Sequence, residues 1–382
     1  MAVALAVWID GGDQESETSG SDVPASSSGP APETTPTTTE PSPPSSTESG
    51  EGSTCPAGEL TDRQRLGQLV MIGVDPTSAS HARQLVESQQ VGGIFVGGDD
   101  PTLISSRVLA EISGPAGIEP FVAVDDEGGR VQRIEMLVGD LPSARQMAAS
   151  SSPEEITELA RERGAQLRSY GINVDFAPVL DVSEQSDGEV IGDRSFGSDP
   201  DTVVRYAEAF AAGLGEEGVM AVYKHFPGHG HAEGDSHLGT SRTPPLGDMG
   251  TDLAPFEALI GRGDDAAVMV GHLTVPGLTD GEPATISPGA INGLLRDELG
   301  HHGLVFTDEL GGMKAISDRF DPSEATRLAI TAGADVALFA HPTDVETLLD
   351  DLEASLSSGE LPREVVDRAL GRVLRAKGHD CP

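Results

Sequence analysis

VMAVYKHFPGHGHAEGDSH, residues Val219 to His237, is the stretch from which the fold can be read. Its first five residues, Val219 to Tyr223, form an apolar run suited to a buried strand. The next fourteen, Lys224 to His237, hold four histidines (His225, His229, His231, His237), two acids (Glu233, Asp235) and one of only three lysines in the chain. Pro227, Gly228, Gly230 and Gly234 punctuate this segment, which therefore reads as a loop. A buried strand running into a loop crowded with ionisable groups is how a rigid scaffold presents chemistry. The same unit recurs along the chain.

Seven further strand candidates follow the pattern: Leu69 to Val74, Gly92 to Val96, Phe121 to Val124, Val174 to Val179, Ala267 to Val270, Leu304 to Thr307 and Val336 to Phe339. Amphipathic segments with capping signals lie between them: Pro101 to Ile112, Ser152 to Arg168, Asp201 to Gly215, Ser287 to Leu299, Pro322 to Thr331 and Thr343 to Leu356. Pro362 to Lys377 closes the series, with proline at its start and basic residues near its end. Strands alternating with helices imply parallel βα units. An open doubly wound sheet concentrates its site at one switch point, whereas a closed barrel gathers residues from many strand ends around one mouth. Here nearly every strand tail carries a polar group: Asp125, Asp181, Lys224, His272, Asp308, His341. The expected fold is a single-domain (β/α)8 barrel over residues 55–382.

Lys+Arg 24 against Asp+Glu 63 gives a net charge of −39. That balance leaves no basic patch for nucleic acid and no attraction to an anionic membrane surface. Residues 1–9 are apolar but too short to span a bilayer, and residues 10–54 are rich in Ser, Thr, Pro and Glu with almost nothing to bury. They read as the remnant of an export signal or anchor followed by a disordered tether, so the protein is expected to be exported and to act outside the cell or in its envelope. Cys55 and Cys381 sit at the two edges of the folded region. In an exported protein this invites a disulfide joining the domain's ends. Lipid attachment at Cys55 is the competing reading, but the tether before it is polar.

Four clusters carry chemistry. DDEGGRVQR, Asp125 to Arg133, follows the third strand; Arg130 and Arg133 suit either hydroxyl binding or a buried salt-bridge network. GDRSFG, Gly192 to Gly197, offers Arg194 as a positioned guanidinium or an ordinary surface arginine. In Lys224 to His237 the histidines and Asp235 are plausible zinc ligands, yet Pro227 and the glycines exclude the helical spacing that many zinc sites use. Acid/base chemistry fits the Asp235-Ser236-His237 order, in which the carboxylate orients and polarises the imidazole. In FTDELGGM, Phe306 to Met313, Asp308 ends an apolar strand and is either a mouth-facing carboxylate or a helix N-cap.

Together and in this order, the clusters resemble the β-N-acetylhexosaminidases of glycoside hydrolase family 3, from about Leu60 to Gly378. The motifs are DxEGGRVQR, the RSFG arginine, KHFPGHG followed after four residues by DSH, and TD[DE]L. The resemblance implies Asp308 as nucleophile, His237 as acid/base and Asp235 as its partner. It also implies Asp125, Arg133, Arg194, Lys224 and His225 as sugar-binding residues, with Met313 beside them. Position 126 is Asp where Gln or a similar residue is expected in many relatives, and position 309 is Glu where Asp is common. Both departures bear on fine specificity. The implied reaction is retaining removal of terminal β-linked N-acetylglucosamine from cell-wall fragments, with no metal or organic cofactor, by a monomer. A broader exo-glycosidase, a phosphorolytic variant and a secreted sugar-binding protein without turnover are the alternatives.

Overall fold

A computed structural model of the chain describes residues 55–260 and 266–381. The export segment and tether expected over residues 1–9 and 10–54 lie outside the described residues. Eight parallel strands form the core: β1 (Val70–Gly73), β2 (Gly93–Phe95), β3 (Phe121–Val124), β4 (Val174–Asp175), β5 (Met220–Phe226), β6 (Ala267–Val270), β7 (Val305–Thr307) and β8 (Ala337–Phe339). Each pairs with its neighbour in sequence, and β8 pairs with β1 through Val70–Ala337, Met71–Leu338 and Ile72–Phe339. The remaining gap, between β7 and β8, is bridged at Phe306 and Val336, where the Thr307 amide donates to the Val336 carbonyl at 3.0 Å. The sheet is thus a barrel, and its parallel strands bring all their carboxyl ends to one mouth.

The strands are buried on both faces, as a sheet wrapped by helices requires. Phe176 stacks on Phe95 at 5.8 Å between ring centroids and meets Phe306 edge-on at 5.4 Å. These rings come from β2, β7 and the end of β4, which are far apart around the barrel, so they can meet only through its interior. Lys377, beyond the last helix, donates to the Gln68 side chain and the Gly92 carbonyl at 2.7 Å each and lies over the Phe121 ring. It closes the amino-terminal end of the barrel, where burial brings its pKa down to about 7.

The helices largely follow their capping signals. Ser152 and Glu155 form a capping box at the start of Pro153–Ser169, and Asp199 caps Pro200–Glu216. Arg363–Ala376 begins one residue after Pro362. Three expectations need correction. Pro101 to Ile112 is not one helix: Arg107 at φ 60° divides Thr102–Ser105 from a 3-10 turn, Val108–Glu111. The helix expected over Ser287 to Leu299 is π-helical at Gly289–Glu298. Strand β5 continues through Phe226, so Lys224 and His225 stand on a strand rather than in a loop. Their positions are correspondingly rigid. The helix Gly250–Leu259 had no clear sequence signal because Pro255 lies inside it.

Cys55 and Cys381 form a disulfide, with their Cα atoms 4.8 Å apart across 326 residues of chain. Closing so long a loop constrains the unfolded chain, and opening it with Cys55→Ser is expected to lower stability by roughly 2–5 kcal/mol. Chemical denaturation of the oxidised wild type against the variant measures this. Unchanged midpoints would show that the bridge adds nothing to the barrel.

Candidate active site

The strand ends open into a cavity of about 840 Å³. Asp125, Arg133, Arg194, Lys224, His225, His237, Asp308 and Met313 all line it. Asp235 does not line it, but its Oδ1 lies 2.9 Å from Nδ1 of His237, which does. The sequence-derived residues from β3, the loop after β4, β5 and β7 are therefore gathered at one place.

The centre of the charged wall is a residue that the sequence reading passed over. Glu127 takes two hydrogen bonds from Arg194, Nε to Oε2 and Nη2 to Oε1, at 2.7 Å each, and its Oε1 lies 2.6 Å from Lys224 Nζ. Lys224 also donates to Asp125 Oδ1 at 2.8 Å. The Glu127 and Lys224 side chains are only 3% and 2% exposed, which makes the charges' mutual pairing decisive. Burial alone would raise the Glu127 pKa, but Arg194 and Lys224 outweigh it and hold the carboxyl far below its usual range. Burial likewise opposes the charge on Lys224, and Asp125 and Glu127 outweigh it, so the ammonium is retained. The array presents fixed donors and acceptors of the kind that grip sugar hydroxyls.

DDEGGRVQR turns out to serve two purposes. Asp126, behind the wall, accepts from Arg163 Nε at 2.6 Å and from the Arg133 amide at 2.8 Å, and the Asp126 and Arg163 side chains are buried. The buried salt bridge thus forms, but with Arg163 rather than with Arg130 or Arg133, while Asp125 and Glu127 on either side face the cavity. The Arg133 Nε is buried with no hydrogen-bond partner among the described residues.

The histidines of Lys224–His237 go to different acids instead of converging. Asp181, from the tail of β4, receives the backbone amides of His225 and His229 at 3.2 and 2.6 Å and lies 2.7 Å from His225 Nδ1. Its own burial raises its pKa, and the His225 ring and these hydrogen bonds more than offset that. The motif glycines make this packing feasible: a Cβ on Gly230 would lie 1.7 Å from the Val182 carbonyl oxygen, and Gly228 has φ +125°. His229 lines the cavity and burial lowers its pKa. His231 turns away to Asp252, 2.8 Å from Nδ1.

His237 is different in kind. Its side chain is 66% exposed, so its second nitrogen is open to solvent while Asp235 holds the first. Asp308 follows β7 directly, and no helix starts there, the next beginning at Lys314. Its Oδ1 accepts the Glu309 amide at 2.9 Å. Burial would raise its pKa, yet His272, His225 and this hydrogen bond together lower it, favouring the carboxylate. Glu127 is absent from the residues singled out in the sequence; Asp181 and His272 enter there only as strand tails, His229 as a possible zinc ligand and Glu309 as a departure from the family pattern.

Residues 61–376 match the glycosyl hydrolase family 3 N-terminal domain. The chain belongs to glycosyl hydrolase family 3. It is a glycoside hydrolase, and the barrel mouth just described is where that family 3 domain presents its charged side chains. The family 3 chain is 49% identical over 327 residues to the beta-hexosaminidase LpqI of Mycobacterium tuberculosis, covering 84% of this chain and 83% of that protein. A solved family 3 glycosyl hydrolase from Mycobacterium smegmatis superposes with a TM-score of 0.81 at 46% identity, over 85% of this chain and 99% of that one. A family 3 beta-N-acetylglucosaminidase from Paenibacillus superposes with a TM-score of 0.77 at 37% identity, over 84% of this chain and 62% of that one.

Proposed function

We propose that this family 3 enzyme is a retaining exo-β-N-acetylglucosaminidase that releases terminal N-acetylglucosamine from cell-wall fragments. The observation that carries the reading is the presence of Asp308 and the Asp235-supported His237 on one cavity, beside the Asp125–Lys224–Glu127–Arg194 array. Asp308 attacks the anomeric carbon and forms a glycosyl ester as the glycosidic bond breaks. His237, protonated, gives its proton from Nε2 to the departing oxygen, and Asp235 supports the imidazolium through Nδ1. Water then enters, His237 takes its proton, and the ester opens to the sugar with its original anomeric configuration.

The other carboxylates lining the cavity are poor candidates for the acid/base. Glu127 is held ionised by two cations and Asp125 is paired with Lys224. Glu309 accepts four backbone amides, and Asp75 is turned onto Thr77. Glu233 is exposed, is absent from the cavity wall, and pairs through its backbone with Arg242. Asp125, Arg133, Arg194, Lys224 and His225 hold the sugar, with Met313 as an apolar wall. The disulfide supports an exported protein. Among the described residues no helix is long and apolar enough to cross a membrane.

A panel of chromogenic aryl glycosides and purified muropeptides, assayed in phosphate and in a phosphate-free buffer, tests the reading. Free N-acetylglucosamine in the β configuration should be the first product in both. A sugar phosphate appearing in phosphate buffer would replace hydrolysis with phosphorolysis, and no turnover of any glycoside would leave a sugar-binding protein.

A further inference from the structure

Glu309 follows Asp308, and each of its polar groups is committed. Its amide donates to Asp308 Oδ1 at 2.9 Å, and its carbonyl lies 2.7 Å from His272 Nε2. A carbonyl can only accept, so that nitrogen carries the hydrogen. The His272 Nδ1 lies 2.7 Å from the Thr285 hydroxyl, so both ring nitrogens are held. The carboxylate of Glu309 is buried without a cation at salt-bridge distance among the described residues. Its Oε1 accepts the amides of Gly311 at 2.8 Å and Ala340 at 3.2 Å; its Oε2 accepts those of Gly312 and of Met313, the latter at 3.0 Å. Four backbone donors replace the water that a buried carboxylate would otherwise need.

These bonds have a common result. Ala340 follows β8, so the carboxylate fastens the end of β7 to the end of β8, next to the junction bridged at Phe306 and Val336. Gly311 to Met313 form the turn that sets Met313 on the cavity wall. His272, at the tail of β6, holds the next peptide, 309–310, at its carbonyl. The backbone of residue 309 is therefore held through its side chain's anchorage to the turn and Ala340 and through its carbonyl by His272, and its N–H is aimed at the carboxylate that has to attack.

We infer that Glu309 is a positioning residue for the reaction: its carboxylate, with His272 on its carbonyl, holds the backbone of residue 309 so that its amide hydrogen bond orients and stabilises the Asp308 carboxylate. This rests on the assignment of Asp308 as nucleophile. In this chain the glutamate's length lets one carboxylate reach the amides of both the turn and Ala340.

Glu309→Gln tests it. The carboxamide turns one acceptor oxygen into a donor that faces amide hydrogens, so the turn has to shift and the backbone of residue 309 is released. For an N-acetylglucosaminide, kcat/KM is expected to fall about 10²-fold, the scale at which a misplacement of about 1 Å acts. The acid limb of the kcat/KM–pH profile should move to higher pH, because Asp308 loses a hydrogen bond to its charged form. The other groups facing Asp308 (His225 on β5, His229 in the loop after it, His237 further along that loop, and His272) are not substituted in this variant. Inhibition by N-acetylglucosamine should change less than kcat/KM, since of the sugar-holding residues Glu309 contacts Met313 through its amide but none of Asp125, Lys224 and Arg194. Glu309→Asp keeps the charge and should fall between the two, and it serves alone if the glutamine variant does not fold. An acid limb that stays in place while activity falls only with the folded fraction would overturn the inference, leaving Glu309 a structural tie. Asp308→Ala is run beside these variants. If it retains turnover, the nucleophile assignment has failed; if it is inactive and the Glu309 variants keep a wild-type profile, the inference alone has failed.

Discussion

Asp308→Ala is expected to reduce turnover of every β-N-acetylglucosaminide by about 10⁴- to 10⁶-fold, the range found when a covalent nucleophile is removed. The fold should persist, because the side chain sits at the mouth and, among the described residues, makes one hydrogen bond, to its own neighbour's amide. No other carboxylate is free to substitute for it. Glu127 is bound by Arg194 and Lys224, Asp125 by Lys224, and Asp181 by His225 and His229. Each is held by groups that would lose their partner if it moved to a sugar carbon. A 2-fluoro sugar with a good leaving group slows hydrolysis of the ester and should label Asp308 in the wild type. Peptide mapping by mass spectrometry reads the result directly. Label on Asp125 or Asp181 would move the covalent step to a different strand end, and the proposed roles would have to be reassigned.

The second large effect concerns His237, and it separates this mechanism from one that uses two carboxylates. In His237→Ala the first chemical step loses its proton donor. A nitrophenolate departs without one, so formation of the ester should be nearly normal with a nitrophenyl substrate. A natural disaccharide, whose leaving alcohol needs the proton, should be slowed by about 10²- to 10⁴-fold. The second step needs the base whatever the leaving group was. The ester on Asp308 should therefore accumulate with aryl substrates, seen as a burst of nitrophenolate equal to the enzyme concentration, followed by slow turnover. Asp235→Asn should give the same pattern in milder form: the 2.9 Å contact to Nδ1 survives, but the charge that supports the imidazolium is gone. Equal slowing of aryl and natural substrates with no burst would falsify the assignment, and Glu233 would be the next residue to substitute.

Much of this was legible in the chain itself. The eight strands were visible because a barrel strand is buried on both faces and reads as a short β-branched run bounded by glycine or a polar tail, as at Phe121–Val124 and Ala267–Val270. The polar tails themselves argued for a closed barrel, since only a shared mouth gives so many strand ends a common use. The Cys55–Cys381 pair was legible for a related reason: in a barrel the first and last elements are neighbours. Departures came where local propensity was the sole guide. Arg107 in the left-handed region breaks a segment that is periodic on paper, and β5 runs on through Lys224 to Phe226 because pairing with β6 extends it past its apolar part.

The sequence by itself determined the barrel, the closure of its ends and several of the residues that reach the mouth. Which of those residues hold one another was decided only by the tertiary structure. Glu127 meets Arg194 across 67 positions of sequence, and Asp125 meets Lys224 across 99. No local pattern encodes these pairs, because the direction of each side chain depends on how neighbouring strand ends stagger around the barrel. The same holds for Asp181, whose two amide partners are brought to it by the close approach at Gly230, and for Glu309, whose fourth donor comes from β8's far end of the chain. Buried charges have to find partners to remain charged, and in this barrel those partners lie on other strands.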